Sequence, residues 1–126
     1  MYEEPNWVNN AKTVLKMTFL EPISLEEVVE SSNKASALLD TVDHPVQMIV
    51  DLLGVQTMPR NFISNFPMVS RLPLVNHRNL DVVINVMDNS FMEAVASIFS
   101  RMYRKVNFVR TLDDAYKAAN VEQSTH

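Results

Sequence analysis

The chain has 126 residues, 47% of them hydrophobic, and a net charge of −4, which suits one domain with a sizeable core and speaks against general nucleic-acid binding. The absence of cysteine excludes disulfides and thiolate metal sites, and the single glycine excludes Gly-rich phosphate loops and the Gly-x-Ser-x-Gly nucleophile elbow. No apolar run approaches the roughly 18 residues of a membrane span, and Met1-Tyr2-Glu3-Glu4-Pro5 lacks the basic-then-apolar order of a signal peptide, so a cytoplasmic protein without an integral membrane segment is expected.

Trp7 and Val8 open a short edge strand, with Asn9-Asn10 as its turn. The stretch from Thr13 to Leu20 places Leu15, Met17 and Phe19 on one face and Lys16 and Thr18 on the other, the pattern of a half-buried strand paired antiparallel with the first. Pro22 ends it. Ser24-Leu25-Glu26-Glu27 is a capping box, in which the hydroxyl of the first residue and the carboxylate of the fourth satisfy each other's backbone N–H. The helix it opens runs to about Leu39, with Leu25, Val28, Val29, Ala35, Leu38, Leu39 and Val42 as its apolar stripe.

Val46-Gln47-Met48-Ile49-Val50-Asp51-Leu52-Leu53-Gly54 reads as the central strand of a parallel or mixed sheet, since a short apolar run closed by a turn residue is buried on both faces. Thr57-Met58-Pro59 looks like a helix start, and Phe62, Phe66 and Val69 have helical spacing. Pro67 interrupts them, which predicts a kinked helix or two short ones over about 59–72. Leu80 to Val86 is a second buried strand. Ser90-Phe91-Met92-Glu93 is another capping box, opening a helix to about Tyr103 with a broad apolar stripe. Val106 to Val109 is a third short strand, and Thr111 caps a last helix whose apolar positions are Leu112, Ala115, Tyr116 and Ala119. Residues from Asn120 onward look like a frayed tail. The expected fold class is α/β: one domain over residues 1–126, with an ordered core of about 6–120, a mixed sheet with an N-terminal antiparallel hairpin, parallel core strands and about four helices.

This layout resembles the STAS domain of anti-sigma-factor antagonists, the SpoIIAA-like family. The likeness is carried by Asp51-Leu52-Leu53-Gly54 at the end of a buried strand, by the strand, loop and helix from Leu80 to Tyr103, and by Phe108-Val109-Arg110-Thr111-Leu112-Asp113-Asp114-Ala115. The family's antagonists carry an Asp-Ser-x-Gly turn whose serine is phosphorylated by a partner kinase. Asp51 and Gly54 match that turn, but the serine position is Leu52, which has no hydroxyl, so the phospho-switch cannot operate there. The resemblance implies a divergent, non-enzymatic regulatory or protein-interaction module working through a protein partner or homodimer. The same fold is similar to the CRAL-TRIO lipid-transfer fold, which implies an alternative, a carrier of a small apolar or lipid-like ligand.

Ligands of open α/β sheets bind beyond the carboxyl ends of the strands, which directs attention to Asp51, Gly54, Arg60, Asn89 and Ser90 as partner- or ligand-binding candidates. Asp51 can meet a ligand donor or accept backbone N–H bonds in its own turn. Arg60 can pair with it. Asn89 and Ser90 belong to a neighbouring loop, where Ser90 also reads as a plain helix cap. Arg101, Arg104, Lys105 and Arg110 form a basic cluster, either an anion-attracting face or a solvated helix end. His44 and His77 have no serine or cysteine nucleophile at a recognisable spacing, so no catalytic residue, cofactor or metal is expected. The eight methionines and the phenylalanines Phe62, Phe66, Phe91 and Phe99 can fill a core or line a cavity or an interface.

Overall fold

The computed structural model describes residues 1–57, 61–62, 64–89, 97–98, 100–101, 103 and 105–121. Five strands form one sheet: β1 (Tyr2–Trp7), β2 (Val14–Leu20), β3 (Val46–Gly54), β4 (Leu80–Val86) and β5 (Lys105–Val109). Their order in space is their order in sequence. β1 runs antiparallel to β2, and the pairs β2–β3, β3–β4 and β4–β5 are parallel. The expected mixed α/β sheet with its N-terminal hairpin is present, and Val46–Gly54 is its middle strand. The described residues contain three α-helices, α1 (Leu25–Leu39), α2 (Phe66–Val69) and α3 (Leu112–Ala118), against about four expected. The helix expected over 90–103 falls largely outside the described residues.

Sequential parallel strands joined by right-handed crossovers carry their connections on one face of the sheet. Helix α1 and the 62–75 segment lie there, over the cluster that contains Leu15, Met17, Met48, Val50, Leu52 and Val83. Helix α3 covers the other face, where Ala115 and Ala119 pack with Val14, Ile49, Ile84 and Val86. The period-two pleat does the sorting. In β2, Val14 faces α3 while Leu15, Met17 and Phe19 face α1; β3 and β4 divide their apolar residues in the same way.

Local chemistry explains most boundaries. The capping box forms as expected: the Ser24 hydroxyl accepts from the Glu27 N–H at 3.2 Å, and the Glu27 carboxylate accepts from the Ser24 N–H at 3.1 Å. Thr111 caps α3 by accepting from the Asp114 N–H at 3.1 Å. At the other end of α3, Asn120 takes a left-handed φ of 58°. The Asn120 and Val121 N–H groups then return to the Lys117 and Tyr116 carbonyls, a Schellman closure. Asn120 and Val121 are therefore anchored, so a frayed tail does not begin at Asn120; the rest of the tail expected there, residues 122–126, lies outside the described residues. Asn79 is the principal buried tie: its amide donates to the Leu39 carbonyl at 3.0 Å and the Val42 carbonyl at 2.9 Å, joining the end of α1 to the start of β4.

Three expectations are corrected. The first strand spans Tyr2–Trp7 and does not begin at Trp7; Pro5 sits within it, on a sheet edge and at a register shift between Glu3 and Asn6, where a missing N–H is tolerated. Of the two arrangements expected over 59–72, the short helix α2 agrees with the second: Pro67 lies in its first turn and starts it, so only the kinked alternative is corrected. The helix start expected at Thr57-Met58-Pro59 falls largely outside the described residues. The buried face of α1 includes Ser31, Ser32 and Ser36 beside Ala35 and Leu39, whereas Leu25 and Val29 are only half-buried. The Ser31 hydroxyl is satisfied by donating to the Val28 carbonyl at 3.1 Å.

Candidate functional site

Between the sheet and its α1-side cover lies a cavity of about 70 Å³. Its floor is the α1-facing pleat of the three middle strands: Met17 and Phe19 from β2, Met48 and Val50 from β3, and Val83 and Asn85 from β4. Val28 and Ser32 of α1 form one wall, Phe62, Val69 and Leu74 a second, and Tyr103 contributes from beyond β4. The volume is about twice the ~30 Å³ share of a liquid water and about half the ~150 Å³ of an apolar cavity known to stay dry and take up benzene. It suits a group of a few carbons.

One polar group in this wall has no protein partner. Asn85 is 3% exposed, and its Nδ2 is a buried side-chain donor without a hydrogen bond. Leaving such a group unsatisfied costs about 1–3 kcal/mol. Pleat parity puts Asn85 in phase with Val83 and Met87 of the α1-side core, beside Val50 on β3. Two other polar side chains meet the same space, the Ser32 hydroxyl and the Tyr103 phenol, whose ionisation burial pushes up to about 12. Among the described residues no Asp, Glu, Lys, Arg or His lines the cavity. An apolar pocket with a few convergent polar groups is the usual form of a small-molecule site.

A larger and more open hollow of about 370 Å³ adjoins it, bordered by Phe62, Phe66, Pro67, Ile98 and Arg101. Phe62 borders both spaces and is 2% exposed. It follows Asn61, whose φ of 66° is a left-handed conformation that asparagine tolerates better than most residues.

The described sequence-derived candidates, Asp51, Gly54 and Asn89, do not line this cavity. Asp51 is 8% exposed and, between the cavity-lining Val50 and Leu52, points to the opposite face. Its Oδ1 accepts from the Leu53 N–H at 3.0 Å, the turn role considered for it. Gly54 is there for close approach: a Cβ at that position would lie 2.9 Å from Leu20 Cδ2 and 3.4 Å from the Phe19 carbonyl, where β2 and β3 shift register. Asn89 is half-buried just after β4 and does not line the cavity. Arg60 and Ser90 lie outside the described residues. Of the basic cluster, Lys105 pairs with Asp81 at 3.2 Å, and Arg104 is outside the described residues. His77 has both ring nitrogens engaged: Nε2 lies 2.7 Å from Asp40 Oδ1, and Nδ1 accepts from the Asn79 N–H at 3.1 Å. The loop after β3 is held by Glu21, whose Oε1 accepts from the Gln56 and Thr57 N–H groups at 2.8 and 3.0 Å. Those bonds, the Gln56 one foremost, hold its carboxyl below the usual range.

Asn85 is the site residue that sequence reasoning passed over. Its signal was a polar side chain inside the apolar run Val82–Val86, in a strand read as buried on both faces. No group of three or more His, Asp and Glu side chains able to hold a metal ion occurs among the described residues, and no helix there is long and apolar enough to cross a membrane. Compared with known protein families, curated proteins and solved structures, the chain matches none.

Proposed function

We propose that this protein is a non-enzymatic binding module that holds a small apolar ligand between its sheet and α1. The observation that carries the reading is the apolar recess on the floor of β2, β3 and β4, with a buried, unpartnered amide in its wall. A non-catalytic role is supported by the candidate acid–base groups: Asp51 is occupied in its own turn and His77 between Asp40 and Asn79. The reading agrees with the carrier role implied by the CRAL-TRIO likeness, and the volume of about 70 Å³ suits a short chain of a few carbons. Native mass spectrometry from gentle buffer is the test. A co-purifying small mass, or a rise in melting temperature with added short-chain alcohols, is expected; a bare chain mass together with no thermal response would overturn the reading. A ligand at 100 times its Kd stabilises by about 2.7 kcal/mol, so the thermal response is large enough to read.

The second reading, a STAS-type interaction module, is favoured by a different feature. Strand β5 is the last in the sheet order and carries Phe108 at 44% exposure, a large apolar side chain on an edge strand. Light scattering tests it directly: a dimer that Phe108→Ser dissociates supports a protein contact here, and a monomer at high concentration counts against a homodimer.

A further inference from the structure

We infer that Asn85 is the polar anchor of the cavity, and that the occupant is a neutral amphiphile: a short hydrocarbon body bearing one uncharged oxygen, as in an alcohol, ketone or ester. The inference rests on the reading of this cavity as a ligand site and specifies its chemistry. A hydrocarbon alone fills the apolar walls but leaves the Asn85 Nδ2–H groups unbonded. An oxygen presented to them accepts that hydrogen bond and removes the desolvation penalty that the empty site bears. A structural water is the competing occupant, since buried waters typically make about three hydrogen bonds and the polar side chains of this wall among the described residues are Asn85, Ser32 and Tyr103; a water, however, leaves the apolar walls uncovered.

Charge decides the class of oxygen. No described cationic side chain lines the cavity, and the buried carboxylate of Asp51 lies on the other side of the sheet. Among the described residues a ligand carboxylate would meet no counter-ion, and an ammonium group likewise, and burying an unpaired charge is steeply costly. Fatty acids and amines are therefore poor occupants, whereas the corresponding alcohols and esters are good ones. The Tyr103 hydroxyl stays protonated through neutral pH and adds a second uncharged polar group to the same wall.

The test uses the full chain and NMR titration with three probes. Xenon reports the apolar space alone, 1-propanol adds a neutral oxygen, and propanoate adds a charge at the same length. The expected result is that xenon and 1-propanol both bind, that 1-propanol shifts the Asn85 side-chain NH₂ resonances, and that propanoate binds at least about ten-fold more weakly. In Asn85→Leu, xenon binding persists while 1-propanol binding weakens by about five- to ten-fold. If xenon binds but 1-propanol does not, if 1-propanol and propanoate are taken equally, or if Asn85→Leu leaves 1-propanol unaffected, the anchor is wrong and the cavity reading survives. If neither xenon nor 1-propanol perturbs any cavity resonance, both fall.

Discussion

The protein contains two asparagines buried to nearly the same depth in opposite hydrogen-bonding situations, and the same substitution should move its stability in opposite directions at the two sites. Asn79 is 8% exposed and donates to the Leu39 and Val42 carbonyls; Asn85 is 3% exposed and its Nδ2 donates to nothing. Leucine has the same side-chain branching as asparagine without its polarity. In Asn79→Leu two hydrogen bonds disappear, each worth about 1 kcal/mol net. The Leu39 carbonyl keeps a long bond from the Val42 N–H at 3.4 Å, so the Val42 carbonyl is the more exposed to an added orphan cost. The total loss should be about 2–4 kcal/mol. In Asn85→Leu no bond from Nδ2 is lost, and an orphan donor worth about 1–3 kcal/mol is removed beside a cavity that can absorb the change in shape. At about 4 °C per kcal/mol for a chain of this size, Asn79→Leu lowers the melting temperature by roughly 8–16 °C and Asn85→Leu raises it by roughly 4–12 °C. Urea denaturation followed by circular dichroism measures both. Equal signs at the two positions, or a loss greater than about 1 kcal/mol at Asn85, would refute the argument that bonding and not burial sets the cost of these amides.

Three further outcomes are expected. Phe62→Ala should cost about 3–5 kcal/mol while joining the inner cavity to the open hollow, so that longer alcohols bind better to the variant than to the parent in the same NMR titration; unchanged chain-length preference would show that Phe62 does not divide the two spaces. Tyr103 should ionise near 12 in a spectrophotometric titration. Because the folded state holds that proton more firmly than an ordinary tyrosine, its contribution to stability is complete below about pH 10 and falls away as pH rises toward 12, and Tyr103→Phe should flatten that part of the pH–stability curve. Glu21→Gln should speed hydrogen exchange at the Gln56 and Thr57 amides by about five- to ten-fold, with the amides of β3 unaffected.

The parts of the fold that were legible in the sequence share a feature: their chemistry is local. The run Val46–Gly54 announces a buried strand, Leu15, Met17 and Phe19 announce a pleat, and Ser24 with Glu27 announces a helix start, each within a few residues. What was missed depends on partners far along the chain. Strand β1 has no apolar alternation across Glu3, Glu4 and Pro5, and it is a strand because β2 pairs with it. Ser31, Ser32 and Ser36 are absent from the apolar stripe expected for α1, yet they are buried, because the face a helix turns inward is set by what it packs on and not by its own side chains alone. Asp51 was visible as a polar residue in an apolar strand and drew attention as a site; its neighbour in kind, Asn85, was equally visible. The difference between them, a bond to Leu53 N–H for one and none from Nδ2 for the other, exists only in three dimensions. Pleat phase then decided the rest, sending Asp51 to the face opposite the cavity and Asn85 into its wall.

Because each strand pairs with those next to it in sequence, the sheet can grow from one side as the chain leaves the ribosome, every new parallel strand finding its template already made. The two faces are not covered on the same schedule. Helix α1 emerges before β3 and protects its side early, whereas Val14, Ile49, Ile84 and Val86 wait for α3, the last helix in the described chain. Until α3 docks, a partly folded chain carries a broad apolar face that is complete but bare. Substitutions that weaken α3, such as Thr111→Ala or Ala115→Asp, should therefore reduce the protein's yield in cells more than their effect on the finished fold would suggest.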